Sequence, residues 1–335
     1  MESTLFTFKP DLVRFDELRE LSFDWFKSNT NTLDDVFKET FAPYYDIYVK
    51  RGIKPFYHLS PTYNTVMGDK QFRFILVRMG SDVVFVPYKV IQILKTKQIR
   101  FFNKPVSRDG NTEHENTVFH KLNSLPFVKF VLTESERVDG CEPLVEYDDY
   151  YFTLDDKDHK YNSSKYCSKN YINQIFSNKD VTLEYGCTAD TKQLLSLREV
   201  WKKGMTENGS VVTKSNGKQF IDLLFSTNKK TRYIVIYYKS RPISCQSFIL
   251  EKEYGYCDCL FIHHIWDDGV DKILHRITQN ITEIQKYMCH YFLYLREGIQ
   301  TVYIAGCQPD EKRLLKHKQR ISDGKITYYL LNKLS

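Results

Sequence analysis

The stretch Gln300–Asn332 constrains the fold most, because it reads as a strand, a turn, a helix and a second strand in close succession. The β-branched and aromatic run Val302–Ile304 is followed by the strand-breaking residue Gly306. Pro309 suits the first position of a helix, and Gly324 suits the end of one. The pattern predicts an αβ unit that completes a mixed sheet.

The predicted helix in this stretch has two different faces. Helical spacing places Leu314, Lys318 and Ile321 on one stripe. The same spacing places three basic residues on another stripe, namely Lys312, Lys316 and Arg320. One lysine therefore shares the apolar stripe, while the others form a basic surface.

Composition limits the class of protein. The chain has 335 residues, of which 42% are hydrophobic and 27% charged, as is typical of a globular chain with room for two domains. The net charge of +6 permits an anionic partner without requiring one. No apolar run approaches the length of a membrane span, so we expect no integral membrane contact. Eight scattered cysteines without a recognisable signal peptide predict reduced thiols and a cytoplasmic location.

The order of predicted elements repeats along the chain. The first half reads β-α-α-β-β-β-α-β, and the second half reads the same with one further helix and strand. We therefore expect an N-terminal domain at residues 1–150 and a C-terminal domain at 151–335, with an aperiodic crossover at Gly140–Tyr161. Three further predictions are a helix at Asp11–Phe26, a helix at Leu33–Val49 that Pro43 kinks or splits, and one long helix at Val270–Arg296.

Two segments carry a resemblance to a known group of enzymes. They are Ser163–Gly186, with basic residues at Lys165 and Lys169, and the final αβ unit, with Leu315-Lys316 on its helix. Both resemble the GNAT-related group that contains the Fem-type peptidoglycan aminoacyltransferases, the C-terminal domain of lysylphosphatidylglycerol synthase and the CelD-like acetyltransferases. The resemblance implies an α/β fold of two tandem GNAT-like domains with mixed sheets, the second domain being catalytic. It also implies transfer of an activated acyl or aminoacyl group to an amine.

The loop before the long helix bears on the acyl donor. GNAT acetyltransferases bind the pyrophosphate of coenzyme A on backbone N–H groups at this position, in a glycine-rich loop. Here the loop contains one glycine, Gly269, and three acidic residues, Asp267, Asp268 and Asp271. These carboxylates would repel a pyrophosphate, so we expect no coenzyme A at this helix start. The resemblance instead implies no tightly bound cofactor and an activated donor as co-substrate, either aminoacyl-tRNA or an acyl-CoA bound differently.

Candidate catalytic residues lie on the strand GYCDCLFIHHI. Strict alternation would place Cys257, Cys259, Phe261 and His263 on one face, and Tyr256, Asp258, Leu260, Ile262 and His264 on the other. Asp258 or a histidine such as His263 is the candidate base, and Tyr256 is the candidate acid.

The resemblance adds Lys316, whose charge would neutralise a donor phosphate or the developing oxyanion. We expect the substrate-binding residues to be Arg320, Lys312, Gln308, His264, Asp267, Lys165 and Lys169. The expected acceptor is a small-molecule or macromolecular amine.

Several alternatives stay open at this point. Cys257, Cys259 and His263 on one face would form a metal site, although the spacing is unusual for zinc, and a cysteine–histidine nucleophile pair is a second option. The basic and aromatic stretch Lys89–Lys104 would suit a tRNA or DNA backbone, which allows an enzyme that acylates nucleic-acid bases. A non-catalytic module that binds nucleic acid or protein is the competing class.

Overall fold

The structure is a computed structural model. It describes residues 12–32, 38–55, 59–60, 62–63, 72–93, 96–155, 169–207, 214–226, 229–265, 271–304 and 312–331. The chain divides into two compact units, the first comprising Met1–Tyr147 with Ile326–Ser335 and the second comprising Asp148–Lys325. The last residues of the chain thus belong with the first unit.

The first unit is built on a mixed sheet. Its strands are β1 (Leu12–Arg14), β2 (Phe72–Met79), β3 (Asp82–Ile93), β4 (Thr96–Phe102), β5 (Val106–Ser107), β6 (Val128–Thr133), the start of β7 (Cys141–Thr153) and the end of β13 (Gly324–Leu331). β2, β3 and β4 are antiparallel neighbours, and Gly80 makes the β2–β3 turn with a φ of 62°. β4 and β6 are parallel, and β6 pairs in the antiparallel sense with the end of β13.

Helices cover the faces of this sheet. They are a 3₁₀ turn (Phe15–Arg19), α1 (Phe23–Ser28), α2 (Lys38–Lys50) and α3 (Thr112–Asn123). Helix α3 begins where the Asn111 side chain accepts hydrogen bonds from the N–H groups of Glu113 and His114. The core between helices and sheet is rich in aromatic rings, with Phe26 packed edge-to-face on Tyr88 and Phe101.

The second unit contains a similar sheet. Its strands are β8 (Val181–Gly186), β9 (Thr231–Tyr238), β10 (Arg241–Glu251), β11 (Tyr256–His264), β12 (Thr301–Tyr303), the end of β7 and the start of β13. β8 to β11 are antiparallel neighbours, β11 and β12 are parallel, and β12 pairs with Tyr151–Thr153 of β7. The parallel pair requires a crossover, which the helices between β11 and β12 provide.

The second unit contains helices before, between and after its strands. They are α4 (Lys169–Phe176), α5 (Thr191–Glu207), α6 (Lys214–Leu224), α7 (Lys272–Gln279), α8 (Ile281–Met288), a π-helical segment (Cys289–Tyr294), α9 (Leu295–Glu297) and α10 (Lys312–Ile321). The crossover is thus several helices, with a break at Asn280, and the prediction of one long helix is wrong. The Asn280 side chain donates to the Arg276 carbonyl, a local bond that competes with a continuous helix.

Three other sequence-based predictions need correction. Asp11–Phe26 contains a strand, a 3₁₀ turn and the start of α1, because Ser22 caps a new helix on the Trp25 N–H. Helix α2 runs through Pro43, so the proline does not split it. The expected aperiodic crossover contains the long strand β7, in which alternation is hidden by the acidic residues of its middle.

Candidate active site

An extra residue in strand β11 determines which side chains share a face. Phe261 lies opposite Ser247 of β10, and Cys259 lies opposite the next residue, Phe248, so Leu260 is a β-bulge. A bulge moves every following side chain to the other face of the sheet. Strict alternation is therefore wrong beyond Cys259.

Contacts on the two faces confirm this assignment. The Phe261 and His263 rings pack on Phe220 of α6, at centroid distances of 5.3 and 4.5 Å. Asp258 shares that face, because Asp258 lies opposite Ile249 and His263 opposite Cys245, on the same side of β10. Cys259 faces the crossover helices, where burial and then the neighbouring Cys289 raise the pKa of its thiol well above the usual value.

One alternative from the sequence fails on this geometry. The metal site needs His263 on the face of Cys257 and Cys259, and the bulge places it on the opposite face. The raised pKa also keeps the Cys259 thiol protonated near neutral pH, which removes its nucleophilic form.

The parallel strands β11 and β12 part after a short paired segment. Their register covers only Tyr256–Asp258 and Thr301–Tyr303. β11 continues to His264, whereas β12 ends at Tyr303. Among the described residues, nothing pairs with the β12 side of β11 beyond Asp258, so the sheet opens there.

A buried lysine lies at this opening. Lys318 of α10 is 8% exposed, and its ammonium donates to the Ile304 carbonyl at 2.9 Å, directly after β12. The same ammonium is close enough to Cys259 of β11 to act against the rise in the pKa of that thiol. Lys318 thus lies near both strands where they part.

Lys316, the lysine selected from the sequence, is exposed. Arg320 on the same stripe is also exposed, so this stripe faces solvent rather than packing against the strands. The catalytic role of Lys316 stays a prediction, but the lysine that approaches β11 and β12 is Lys318. The sequence did contain the signal, because a charged residue on an apolar helical stripe is expected to be buried with a polar partner.

Aromatic rings and a carboxyl group line the paired segment of the two strands. Tyr256 is 6% exposed and packs edge-to-face on Tyr303 at 5.5 Å, and Tyr303 contacts Tyr151 at 5.6 Å. Asp258 is 5% exposed and lies opposite Tyr303 in the register. The predicted acid and base therefore lie beside the opening, and their catalytic roles stay predictions.

His263 occupies an aromatic environment. Its ring lies 4.7 Å from that of Trp201, in addition to the contact with Phe220. Burial, followed by the positive charges of Arg198 and His264, lowers the pKa of His263 to about 3. A histidine with this pKa is neutral at pH 7 and a weak base, so the geometry favours Asp258 over His263 for proton transfer.

The helix that follows the opening begins with an acidic cap. Asp271 accepts hydrogen bonds from the Ile273 and Leu274 N–H groups at the start of α7, at 3.0 and 3.2 Å. It also accepts from the Tyr238 hydroxyl at 2.8 Å and the Lys239 ammonium at 3.0 Å. The Asp271 carboxylate thus already accepts hydrogen bonds from the N–H groups that would otherwise attract a pyrophosphate.

The remaining predicted site residues are only partly described. His264 is half-buried on the face opposite His263, across from Ser244. Lys169 begins α4, and Lys312 begins α10. Gln308, Asp267 and Lys165 lie outside the described residues.

In the first unit the corresponding parallel strands, β4 and β6, are joined at their ends. Glu136, which is 3% exposed, accepts hydrogen bonds from the Lys104 N–H and the Asn103 side chain after β4, both at 2.7 Å. It also accepts from the N–H and hydroxyl of Thr133 at the end of β6, at 3.1 and 2.9 Å. The carboxyl group therefore holds together the ends of β4 and β6. Burial raises its pKa.

The stretch Lys89–Lys104 provides cations that lie over aromatic rings of the same unit. The ammonium groups of Lys89, Lys97 and Lys104 lie 5.6, 5.8 and 5.7 Å from the ring centroids of Phe72, Phe23 and Phe119. Nucleic-acid binding by this stretch stays a prediction.

Two other expectations concern the environment of the protein. The six described cysteines, Cys141, Cys187, Cys245, Cys257, Cys259 and Cys289, are free thiols. None of the helices in the described ranges combines the length and the apolar character that a membrane crossing needs.

No family model matches the chain, and no curated protein matches it in sequence. Solved structures do match. The C-terminal domain of a putative lysylphosphatidylglycerol synthetase from Agrobacterium fabrum has 8% identity and a TM-score of 0.50, over 89% of this chain and 92% of that chain. L-PGS from Bacillus licheniformis has 10% identity and a TM-score of 0.50, over 90% and 92%. A conserved protein of unknown function from Bacteroides thetaiotaomicron has 12% identity and a TM-score of 0.53, over 90% and 97%.

The chain shares the fold of this group. At such low identities the similarity concerns the fold alone. The predicted mixed α/β class is confirmed, and so is the expected likeness in fold to the C-terminal domain of a lysylphosphatidylglycerol synthetase.

Proposed function

We propose that the second unit transfers an activated acyl group, specifically an aminoacyl group carried as an ester, to an amine. The reaction takes place at the opening between β11 and β12. The observation that carries the proposal is the buried ammonium of Lys318 at this opening. The fold of the matching synthetases supports acyl transfer at a coarser level.

The position of Lys318 suits stabilisation of a negative charge. Lys318 is buried, and its hydrogen bond to the Ile304 carbonyl holds the ammonium group near the opening. When an amine attacks an ester, the carbonyl oxygen becomes negatively charged. A donor already positioned in a site sheltered from water stabilises that charge more than it stabilises the neutral ester.

The proposed reaction forms one C–N bond and breaks one C–O bond. The nitrogen of the neutral acceptor amine attacks the ester carbonyl carbon and forms a C–N bond. The tetrahedral intermediate then expels the ester oxygen as the C–O bond breaks. The proton leaves the nitrogen for Asp258, and the departing oxygen gains a proton from Tyr256. Lys318 interacts with the oxyanion, and the products are an amide and a free hydroxyl.

The donor is proposed to be an aminoacyl-tRNA or a similar activated ester. Asp271 supports this choice, because its carboxylate caps α7 and opposes a pyrophosphate at that place. The acceptor is an amine of either a small molecule or a macromolecule.

Each compact unit is proposed to be one GNAT-like domain. The first unit has antiparallel β2, β3 and β4 followed by parallel β6, and the second has antiparallel β9, β10 and β11 followed by parallel β12. In both, an antiparallel strand then completes the series. On this proposal, catalysis belongs to the unit with the open strand pair.

The test uses total tRNA charged with a mixture of ¹⁴C-labelled amino acids. The purified chain is incubated with this donor and with protein-free extract fractions that contain polar metabolites, peptides or lipids. The ester on tRNA is labile to mild alkali, whereas an amide is stable. We expect protein-dependent formation of alkali-stable label in one fraction. If all label stays alkali-labile with every fraction, the aminoacyl-transfer proposal is wrong.

A further inference from the structure

The second unit contains a cavity that lies away from the opening between β11 and β12. It has a volume of about 280 Å³ and lies between helix α5, the β9–β10 turn and the end of β11. Its lining residues are Gln193, Ser196, Leu197, Val200, Ser240, Arg241, Pro242 and Ile265. Ile265 follows the last residue of β11, whereas the opening begins at Asp258, so several residues of extended strand separate the two places.

The cavity has an apolar part of limited size. Leu197, Val200, Pro242 and Ile265 contribute apolar surface. A volume of about 280 Å³ is slightly below the range of about 300–1,000 Å³ that drug-sized ligands occupy. The cavity therefore suits a small molecule with a short aliphatic body.

One polar group on the lining needs a hydrogen-bond donor. The Gln193 Oε1 atom is buried and accepts no hydrogen bond from the described residues. Its orientation is fixed, because the Nε2 atom of the same amide donates to the Asp190 carboxylate at 3.1 Å. Buried acceptors are rarely left unsatisfied in native proteins, so a ligand N–H group is the expected partner.

A second group on the lining can bind an anion. Arg241 is exposed and forms no ion pair with any residue in the described ranges. It follows a tight β9–β10 turn, in which Lys239 and Ser240 have φ values of 50° and 61°. The turn thereby fixes the backbone of Arg241 at the cavity, where a guanidinium group is well suited to bind a carboxylate.

We propose that this cavity binds a free small aliphatic α-amino acid. The ammonium group donates to Gln193 Oε1, the carboxylate pairs with Arg241, and the side chain contacts the apolar part of the lining. A fatty acid of the same size would leave Gln193 Oε1 unsatisfied, and an aliphatic amine would leave Arg241 without an anion. The proposal does not depend on the acyl-transfer reaction.

The test compares three probes that share one branched aliphatic chain, each with the full chain of the protein. L-valine carries both polar groups, isovalerate carries only the carboxylate, and isobutylamine carries only the amine. Saturation-transfer difference NMR gives the dissociation constant of each. We expect L-valine to bind at least tenfold more tightly than either partial analogue. Absence of saturation transfer from all three probes, or equal binding of valine and isovalerate, overturns the proposal.

Variants locate the binding. Gln193→Leu should weaken L-valine about tenfold and leave isovalerate unchanged, whereas Arg241→Gln should weaken valine and isovalerate and leave isobutylamine unchanged. Val200→Trp should remove binding of all three by filling the cavity, with folding checked by circular dichroism. The exposed Arg276→Gln is the matched control and should bind as the parent does. Parent-like binding in both Gln193→Leu and Arg241→Gln shows that valine binds elsewhere and overturns the assignment.

Discussion

In the first unit the parallel strands β4 and β6 stay together at their ends, whereas in the second unit β11 and β12 part after Asp258. Glu136 joins the ends of the first pair through four hydrogen bonds. At the second pair, Leu260 bulges out of β11 and a buried lysine occupies the opening. The same order of strands thus produces a closed sheet in one unit and an open one in the other.

The carboxyl group of Glu136 and the ammonium group of Lys318 differ in the hydrogen bonds that they can form. A carboxylate accepts hydrogen bonds from backbone N–H groups and so can join two strand ends directly. An ammonium group only donates, so Lys318 binds a backbone carbonyl, that of Ile304, instead of N–H groups. This difference supports the proposal that the second unit carries the chemistry.

The largest expected effect on stability comes from removing the carboxyl group that closes the first unit. Glu136→Ala leaves buried donors after β4 and β6 without an acceptor, which should lower the free energy of unfolding by roughly 3 kcal/mol. Urea unfolding measures this change. Glu134→Ala, at an exposed residue of the 3₁₀ turn Glu134–Glu136, is the control and should change stability by less than about 0.5 kcal/mol. Equal stability of the two variants would show that Glu136 does not hold the strands together.

A smaller expected effect is a pH dependence of stability that has opposite signs in the two units. The Tyr238 hydroxyl and then Lys239 lower the pKa of Asp271, so its contribution is present above the ordinary aspartate pKa of about 4 and is lost as the pH falls through the lower folded pKa. Burial raises the pKa of Glu136, so its contribution is largest below about pH 4.5 and declines as the pH rises through the folded pKa.

Thermal unfolding of Asp271→Asn and Glu136→Gln beside the parent checks these signs. The difference in Tm between parent and Asp271→Asn should shrink from pH 7 to pH 3. The difference between parent and Glu136→Gln should grow over the same range. Parallel trends for the two variants would contradict the assigned shifts.

The smallest expected effect concerns acetyl-CoA, for which we expect no binding at the start of α7. We expect titration calorimetry with acetyl-CoA to give no heat of binding at the start of α7, because Asp271 already accepts from the Ile273 and Leu274 N–H groups. Asp271→Asn keeps the cap and removes the negative charge, so it serves as the comparison. Tight binding of acetyl-CoA by the parent that Asp271→Asn strengthens would place coenzyme A at this helix after all.

The sequence was informative where local pattern and structure agree. The predicted order of strands agrees with β2, β3, β6 and β9, because a strand buried on one or both faces needs a hydrophobic run. It was less informative for Asp11–Phe26, where helical spacing hid a short strand that exists only through parallel pairing with β2. Pairing between residues distant in sequence leaves no local pattern.

The same limit explains the partial success at the site. Tyr256, Asp258 and His263 were assigned to the correct strand, but the bulge at Leu260 depends on the register with β10 and has no signal in the spacing. The choice of Lys316 followed the resemblance, whereas the apolar stripe of α10 pointed to Lys318, because only a residue on that stripe can approach β12.

The proposed acyl transfer depends on Lys318, the buried lysine at the opening in the second unit. The most direct measurement is acyl transfer at saturating substrate by Lys318→Ala and Lys316→Ala, each compared with the parent and corrected for the folded fraction. Loss of one donor to an oxyanion costs about 3–4 kcal/mol in the transition state, so Lys318→Ala should lower kcat by about 10²–10³-fold. Lys316→Ala should retain the parental kcat, since Lys316 is exposed. Unchanged turnover in folded Lys318→Ala, or an equal loss in Lys316→Ala, would contradict the account.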